Sequence, residues 1–283
     1  MMKLSVFYDH ILQAAQQSGE SVESLLAHVK QCGIDAVEIN LTYLRENPKT
    51  EQLLAGVGLK ISCIYEFYEM NKPGLWVKMQ WRKKSLNHIK TAKRVGAGKI
   101  LVVPGFLESQ EAEQMISVKD SYEDLADYLS ANKNMQRMIA GLTYIAALGH
   151  EQGVTVTIED FDDRKSPLCC MNGVLYALNN VPYLTHTFDM GNYAYIGEEV
   201  EKAWELLYGH ITHVHCKDRG DDGQGNRLVS VATGSGYLSI EEMVKKLAGE
   251  KYDGYLAIEH FDAPNQKNTI KSSAEYLKNC AIY

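Results

Sequence analysis

Short β-rich segments alternate with longer amphipathic stretches from one end of this 283-residue chain to the other. The short segments are rich in Val, Ile, Leu and aromatic residues, a composition typical of strands. We predict eight strands, at residues 4–8, 34–40, 59–65, 99–104, 154–159, 184–189, 211–216 and 255–260. We predict eight helices, near residues 21–32, 48–57, 80–95, 120–152, 170–180, 198–208, 239–249 and 267–280. Regular alternation implies a parallel sheet, and eight strand–helix pairs predict an α/β fold, a (β/α)8 TIM barrel forming a single domain over residues 1–283.

Glycines mark the ends of several predicted helices, because glycine readily adopts the left-handed conformation that ends a helix. Gly33, Gly98 and Gly153 each stand directly before a predicted strand. An open, doubly wound sheet is the alternative arrangement of the same elements. That fold carries a GxGxxG turn after its first strand, whereas LSVFYDH at residues 4–10 continues into polar residues. The missing glycine motif favours the closed barrel.

The charge and hydropathy of the chain exclude several classes of partner. Its 29 Lys and Arg against 36 Asp and Glu give a net charge of −7, and without a long basic run this argues against nucleic acid as a ligand. No apolar stretch approaches the roughly 20 residues of a membrane span, and the N-terminus becomes polar too early for a signal peptide. Six cysteines form no CxxC pair, which is typical of reduced thiols. We therefore predict a cytoplasmic protein.

Polar side chains stand at the predicted ends of four consecutive strands. Because side chains alternate between the two faces of a strand, the last inward position of each can be assigned. These positions are Glu159, Asp189, His215 and Glu259. The carboxyl ends of the strands form the catalytic face of barrel enzymes, so we expect the four side chains to meet at one point.

A divalent cation accounts for this set of side chains. Three converging carboxylates would repel one another, and each would be costly to bury without a partner. A single strand-end carboxylate is usually a helix cap or ion-pair partner, but four such groups in register on adjacent strands are not independent. Oxygen-rich ligation favours Mn²⁺ or Mg²⁺, with Co²⁺ and Zn²⁺ as alternatives.

Five segments carry a resemblance to a known family: VTVTIEDF (154–161), TFDMGN (187–192), HVHCKD (213–218), GSGYLSIEEMVKKL (234–247) and YLAIEH (255–260). They are similar to the sugar isomerases and epimerases of the xylose isomerase-like TIM barrel family, which includes the ketose 3-epimerases and the type IV apurinic endonucleases. Asp189 and His215 are 26 residues apart, as in the ketose 3-epimerases. The resemblance implies one divalent ion held by Glu159, Asp189, His215 and Glu259.

The resemblance also implies isomerisation or epimerisation of a sugar or sugar phosphate through an enediolate. A cation that binds a substrate carbonyl and the neighbouring hydroxyl acidifies the C–H bond between them. Glu159 and Glu259, on opposite faces of the bound sugar, are the candidate base and acid. The order of their roles stays open.

Two segments after the sixth and seventh strands supply candidate contacts with the substrate. Asn192 replaces a histidine that the ketose 3-epimerases have three residues after the metal aspartate, and its amide can bond a sugar hydroxyl without titrating. Those enzymes have an arginine six residues after the metal histidine, where this chain has Asp221. Arg219 and Lys217 are the nearby cations that we assign to substrate binding.

Three further features bear on the substrate. Glu38 ends the inward register of the second strand, and Trp76 lies with Phe67 in the aromatic segment 65–81 that suits a cap over a ligand. Backbone N–H groups of the GSG loop at 234–236 are a candidate phosphate site, because barrels often bind phosphate after the seventh and eighth strands. The structural alternatives are a packed ion pair for Glu38, a loop on the barrel rim for the segment 65–81, and a plain turn for the GSG loop.

Other functions compete with a metal-dependent isomerase. A repair endonuclease of the same barrel group uses additional histidine ligands, but the fourth strand ends in VVPG (102–105). A non-catalytic sugar-binding barrel and a metal-dependent sugar or inosose-type dehydratase both stay open. A homo-oligomer is also left open, with the apolar tail at 276–283 packing on the barrel or on a neighbour.

Overall fold

The computed structural model describes residues 2–280 and consists of a closed parallel barrel surrounded by helices. The strands in chain order are β1 (Lys3–Phe7), β2 (Ala36–Asn40), β3 (Lys60–Phe67), β4 (Lys99–Val103), β5 (Thr155–Glu159), β6 (Leu184–Asp189), β7 (Ile211–Gly220), β8 (Val229–Val231) and β9 (Tyr255–Glu259). From β1 to β7 each strand pairs in parallel with the next, and β9 pairs with both β7 and β1. This closure confirms the predicted TIM barrel.

The helices cover the outside of the barrel. They are α1 (Tyr8–Ser18), α2 (Val22–Gln31), α3 (Leu41–Glu46), α4 (Thr50–Val57), α5 (Leu75–Val95), α6 (Ser109–Ser117), α7 (Tyr122–Ala131), α8 (Lys133–Gln152), α9 (Met171–Asn180), α10 (Val200–Leu207), α11 (Ile240–Gly249) and α12 (Gln266–Cys280). Outward-facing Val156 and Ile158 of β5 are buried beneath them. The inward-facing hydroxyls of Thr157 and Thr187 meet inside the barrel, 2.9 Å apart, which confirms the predicted inward register of β5 and β6.

Three helices, α1, α3 and α6, were not expected, and the helix predicted at 120–152 is in fact two. It breaks at Asn132, whose backbone is extended and whose side chain accepts a hydrogen bond from the Met135 N–H. Asn132 therefore ends α7 and caps the start of α8, and asparagine is one of the residues preferred at this position. In α1, Tyr8, Ile11 and Ala14 bury one face at helical spacing.

Helix α5 begins five residues before the predicted start, and Trp76 therefore belongs to the helix and not to the loop before it. Gly74 precedes the helix with φ of 113°, a conformation that side chains rarely allow. Trp76 therefore lies in the first turn of α5, with 69% of its surface exposed.

β7 continues beyond the barrel rim and forms a short antiparallel hairpin with β8. Within residues 2–280, no helix is long and apolar enough to cross a membrane. All six cysteines are buried free thiols. The predicted contact of the tail at 276–283 falls partly on residues 281–283, which lie outside the described residues.

Candidate metal centre

The four strand-end residues Glu159, Asp189, His215 and Glu259 come together at the carboxyl end of the barrel. One ligand atom from each lies within 4.8 Å of the others, and all four side chains are buried. The Nδ1 atom of His215 is 2.9 Å from Oε1 of Glu159 and 2.9 Å from Oε2 of Glu259, and 3.8 Å from Oδ2 of Asp189. Because the carboxyl ends of the parallel strands lie at the same end of the barrel, residues up to 100 positions apart in the chain come together there.

The two oxygens of Asp189 differ: one accepts hydrogen bonds, and the other forms an ion pair with Lys217 Nζ, 3.4 Å away. Its Oδ1 accepts hydrogen bonds from the backbone N–H groups of Gly191 (2.7 Å) and Asn192 (3.0 Å). Its Oδ2 is buried, points into the cluster and has no hydrogen-bond partner. A buried carboxylate oxygen without a hydrogen-bond partner is costly, and a cation among three carboxylates and an imidazole would supply the missing interaction. The donor set therefore fits a divalent ion.

Glu38 and His213 form a layer beneath the cluster. Oε2 of Glu38 lies 2.8 Å from Nε2 of His213 and 3.3 Å from Nε2 of His215, and all three side chains are fully buried. Glu38 was expected to contact a sugar hydroxyl, but the structure places it below the barrel mouth. It contacts a cluster histidine from the side opposite to the carboxylates.

Lys217 and Asn192 extend the cluster toward solvent. Lys217 Nζ lies 2.6 Å from Oε1 of Glu259 and donates to Oδ1 of Asn192 at 2.7 Å. The Asn192 amide donates in turn to Oε1 of Glu159 at 3.2 Å. Lys217 and Asn192, both predicted to bind substrate, therefore each contact one of the two candidate catalytic glutamates.

Arg219 also reaches this side of the cluster, through Asp162. Its Nη2 donates to Oδ2 of Asp162 at 2.8 Å and to Oδ1 of Asn192 at 3.3 Å. Asp162 was not predicted as a site residue. Its only sequence signal was the run of acidic residues in IEDFDD (158–163), which directly follows the end of β5.

A cavity of about 300 Å³ opens above the cluster. Its walls combine aromatic or aliphatic side chains with charged ones: Phe7, Tyr65, Phe67, Leu101, Val103, Glu159, Phe161, Asp162, Lys217, Arg219, Ser230, Glu259 and Phe261. Phe67, one of the two aromatic residues expected to contact a ligand, lines this cavity. Trp76, the other, is outside it, because α5 carries its ring to the exposed surface.

The GSG loop is occupied by a side chain of this chain. Asp218 Oδ2 accepts the backbone N–H groups of Gly234 and Gly236, each at 2.9 Å, and its Oδ1 accepts that of Leu238 at 3.3 Å. A side chain at position 236 would collide with Asp218, so glycine permits this close approach. The candidate phosphate site is therefore filled by a carboxylate.

Comparison with protein families identifies the fold family. The family model described as "xylose isomerase-like TIM barrel" matches residues 26–280. The chain belongs to this family. Among curated proteins no sequence matches it.

Solved structures of the same fold cover nearly the whole chain at low identity. The probable 3-DHS dehydratase AsbF of Bacillus anthracis is 17% identical with a TM-score of 0.72, covering 98% of this chain and 99% of its own. The 3-keto-D-glucoside 4-epimerase YcjR of E. coli is 16% identical with a TM-score of 0.70, covering 99% and 100%. The D-allulose 3-epimerase of Methylomonas is 12% identical with a TM-score of 0.72, covering 99% and 98%. These likenesses show the fold, and most such neighbours are sugar isomerases or epimerases.

The electrostatics of this family member concentrate on its carboxylate cluster. Burial, together with the charges of Glu259 and Asp189, raises the pKa of Glu159 to about 8 against the opposing effect of His215. Burial also raises the pKa of Glu259, but Lys217 and His215 outweigh it and hold that pKa below its usual range. Burial and Glu259 raise the pKa of Asp189 to about 6, although Lys217 opposes them. Burial and mutual repulsion thus disfavour the ionised forms of Glu159 and Asp189, the condition in which a bound cation would stabilise carboxylates.

Proposed function

We propose that this chain is a divalent-metal-dependent isomerase or epimerase that acts on a sugar or sugar phosphate through an enediolate of the substrate. The observation that carries this proposal is the joint placement of Glu159 and Glu259. They come from β5 and β9, on different sides of the barrel, and both line the cavity beside the same histidine. Two carboxylates that approach a bound molecule from different sides can remove a proton from one face and return it to another.

Glu159, Asp189, His215 and Glu259 would hold the ion. When bound there, a divalent ion lowers the pKa of a substrate C–H that lies next to a carbonyl, and the oxygen-rich ligands favour Mn²⁺ or Mg²⁺. Glu159 and Glu259 would move the proton at carbon. Lys217, Asn192 and Arg219 would orient the substrate, since their polar groups are held beside those glutamates.

We also propose a cytoplasmic location, which the six buried free thiols support. The likeness to sugar epimerases and the acidic charge balance support a small-molecule substrate and give no support to nucleic acid as one.

Metal binding is the first property to test. Chelator-stripped protein should bind one Mn²⁺ per chain by titration calorimetry, and Asp189→Asn should abolish this binding. Asp163→Asn is the matched control, because the Asp163 side chain accepts a local backbone bond from Lys165 and lies outside the cluster. Failure of the wild-type protein to bind would remove the basis of the mechanism, and a non-catalytic sugar-binding barrel would then be favoured.

The reaction is tested with metal-loaded protein and a panel of ketoses and ketose phosphates in D2O. Exchange of a carbon-bound proton for deuterium, with a change of configuration and no loss of water, is expected. A product lighter by one water would instead support the metal-dependent dehydratase. A metal-loaded protein that binds a sugar but exchanges no proton would support the non-catalytic barrel.

A further inference from the structure

One wall of the cavity is a continuous series of aromatic rings. Phe261, Phe7, Tyr65, Phe67 and Phe161 follow one another, with centroids 5.4, 5.6, 6.3 and 6.0 Å apart. We call this set the aromatic arc. Every member lines the cavity, although the five residues come from the ends of four different strands or from the loops that follow them.

The aromatic arc presents carbon surface to a ligand. Its one hydroxyl, that of Tyr65, already donates to Oδ2 of Asp9 at 2.7 Å. Leu101 and Val103 of the neighbouring strand β4 add aliphatic surface to the same cavity. A substrate group placed here is therefore recognised by apolar contact and by ring faces, not by hydrogen bonds.

The cations of the opposite wall are already engaged. Lys217 Nζ lies within 3.4 Å of carboxylate or amide oxygens of Glu259, Asn192 and Asp162. Arg219 donates to Asp162 and Asn192 and also to the carbonyl groups of Gly191 and Leu228. A phosphate would have to displace these bonds to gain its own, which leaves charged partners unpaired.

The charge around the cavity also disfavours an anion. Four acidic side chains, Glu159, Asp189, Glu259 and Asp162, lie in or beside the cluster and the cavity, together with the cations of Lys217 and Arg219. Hydroxyl groups can donate to carboxylates that a phosphate would meet with like charge. The amide groups of the GSG loop give no alternative anion site, because Asp218 occupies them.

We propose that the substrate is a neutral, unphosphorylated hydroxy-carbonyl compound whose end remote from the carboxylate cluster is apolar, as in a deoxysugar, and packs against the aromatic arc. This inference rests on the proposed function, since it takes the hydroxy-carbonyl end to lie at the cluster.

A matched series of ligands tests it. For each of D-fructose, D-allulose, D-tagatose and D-sorbose, the parent ketose, its 6-deoxy form and its 6-phosphate differ only at the remote carbon. Binding to Mn²⁺-loaded protein is measured by calorimetry. The 6-phosphate should bind at least about tenfold more weakly than the parent in the best-bound series, because its charge meets paired cations and carboxylates. The 6-deoxy form should bind about two- to fivefold more tightly, because it has no C6 hydroxyl to bury against apolar surface without a hydrogen-bond partner.

The aromatic arc is tested in the same series. Phe67→Ser should remove the preference for the 6-deoxy form while leaving Mn²⁺ affinity unchanged, and Phe67 is 44% exposed, so folding should tolerate the change. Tyr208→Ser is the matched control, since Tyr208 is an exposed aromatic residue that stacks on Trp204 away from the cavity. It should retain the preference.

The outcomes separate the two proposals. Tighter binding of the 6-phosphates than of the parents would overturn the neutral-substrate inference and leave the proposed function standing. Weaker binding of the 6-deoxy forms than of the parents would overturn the apolar assignment in the same way. If Mn²⁺ binds but no compound of the series binds, the proposed function fails and this inference fails with it.

Discussion

The Nε2 atom of His215 lies 3.3 Å from Oε2 of Glu38, while its Nδ1 atom faces the carboxylates of the cluster. Glu38 thus contacts the ring from the side away from the candidate metal position. A carboxylate that accepts the second N–H of a ligating histidine fixes its tautomer and orientation. We therefore propose that Glu38 positions His215 and, because it is fully buried, does not itself reach a substrate.

Glu38→Gln should weaken Mn²⁺ binding by about 10- to 100-fold, the usual effect of losing such a partner. Calorimetric titration of the stripped variant measures it, and circular dichroism checks the fold. Glu66→Gln is the control, because Glu66 is also buried at a strand end but binds Thr42 and the Phe67 N–H outside the cluster. Equal Mn²⁺ affinity in the Glu38 variant and the wild type would refute the positioning role.

Glu259→Gln should lose turnover by about 10²- to 10⁴-fold, because it removes a group that transfers a proton. Its fold should stay intact, since Gln keeps the size of the side chain. The measurement is deuterium exchange into the substrate under saturating Mn²⁺, so that weaker metal binding is not mistaken for lost chemistry. Turnover at the wild-type rate would exclude Glu259 from catalysis.

Asp218→Ala should destabilise the protein by about 2–4 kcal/mol, because each hydrogen bond to a charged group contributes about 1.5–3 kcal/mol and a buried N–H left unpaired costs more. Asp218 accepts from Arg219, Gly234, Gly236 and Leu238. Urea unfolding measures the change.

The control for this loop is Asp221→Ala. Asp221 is exposed and accepts one backbone bond, from Gly223, so its loss should cost less than about 1 kcal/mol. Similar midpoints for the two variants would contradict the structural role of Asp218.

His88 should make the protein sensitive to mild acid. It is buried between the Tyr68 hydroxyl and the Ile64 carbonyl, and burial lowers its pKa to about 3. Because the unfolded chain binds the proton first, stability falls as the pH drops below about 6.5 and continues to fall until about 3, by about 1.4 kcal/mol per pH unit.

His88→Gln should remove this contribution while other buried histidines keep theirs. Urea midpoints between about pH 7 and 4.5 should therefore fall less steeply in the variant than in the wild type. His28→Gln serves as the comparison, since His28 is only half-buried and lies in the last turn of α2. Parallel curves for wild type and His88→Gln would show that His88 is not the group responsible.

The sequence by itself determined the barrel and the four residues of the candidate metal centre. Both depend on local periodicity: strand–helix alternation sets the parallel topology, and the two-residue period of a strand assigns its last inward side chain. Once the strands are parallel, their carboxyl ends share one edge. Glu159, Asp189, His215 and Glu259 could therefore be placed together without knowledge of any long-range contact.

Only the tertiary structure decided what surrounds them. Glu38 and His213 are 175 residues apart, and their contact depends on how the closed barrel aligns β2 with β7. The same holds for Asp218, whose carboxylate fills the GSG loop, and for the aromatic arc, which is assembled from separate strand ends and loops. Trp76 was misplaced because the start of α5 turns its ring outward. Local patterns fix which face a side chain takes, but its partner across the barrel is set by closure and register, which no short segment encodes.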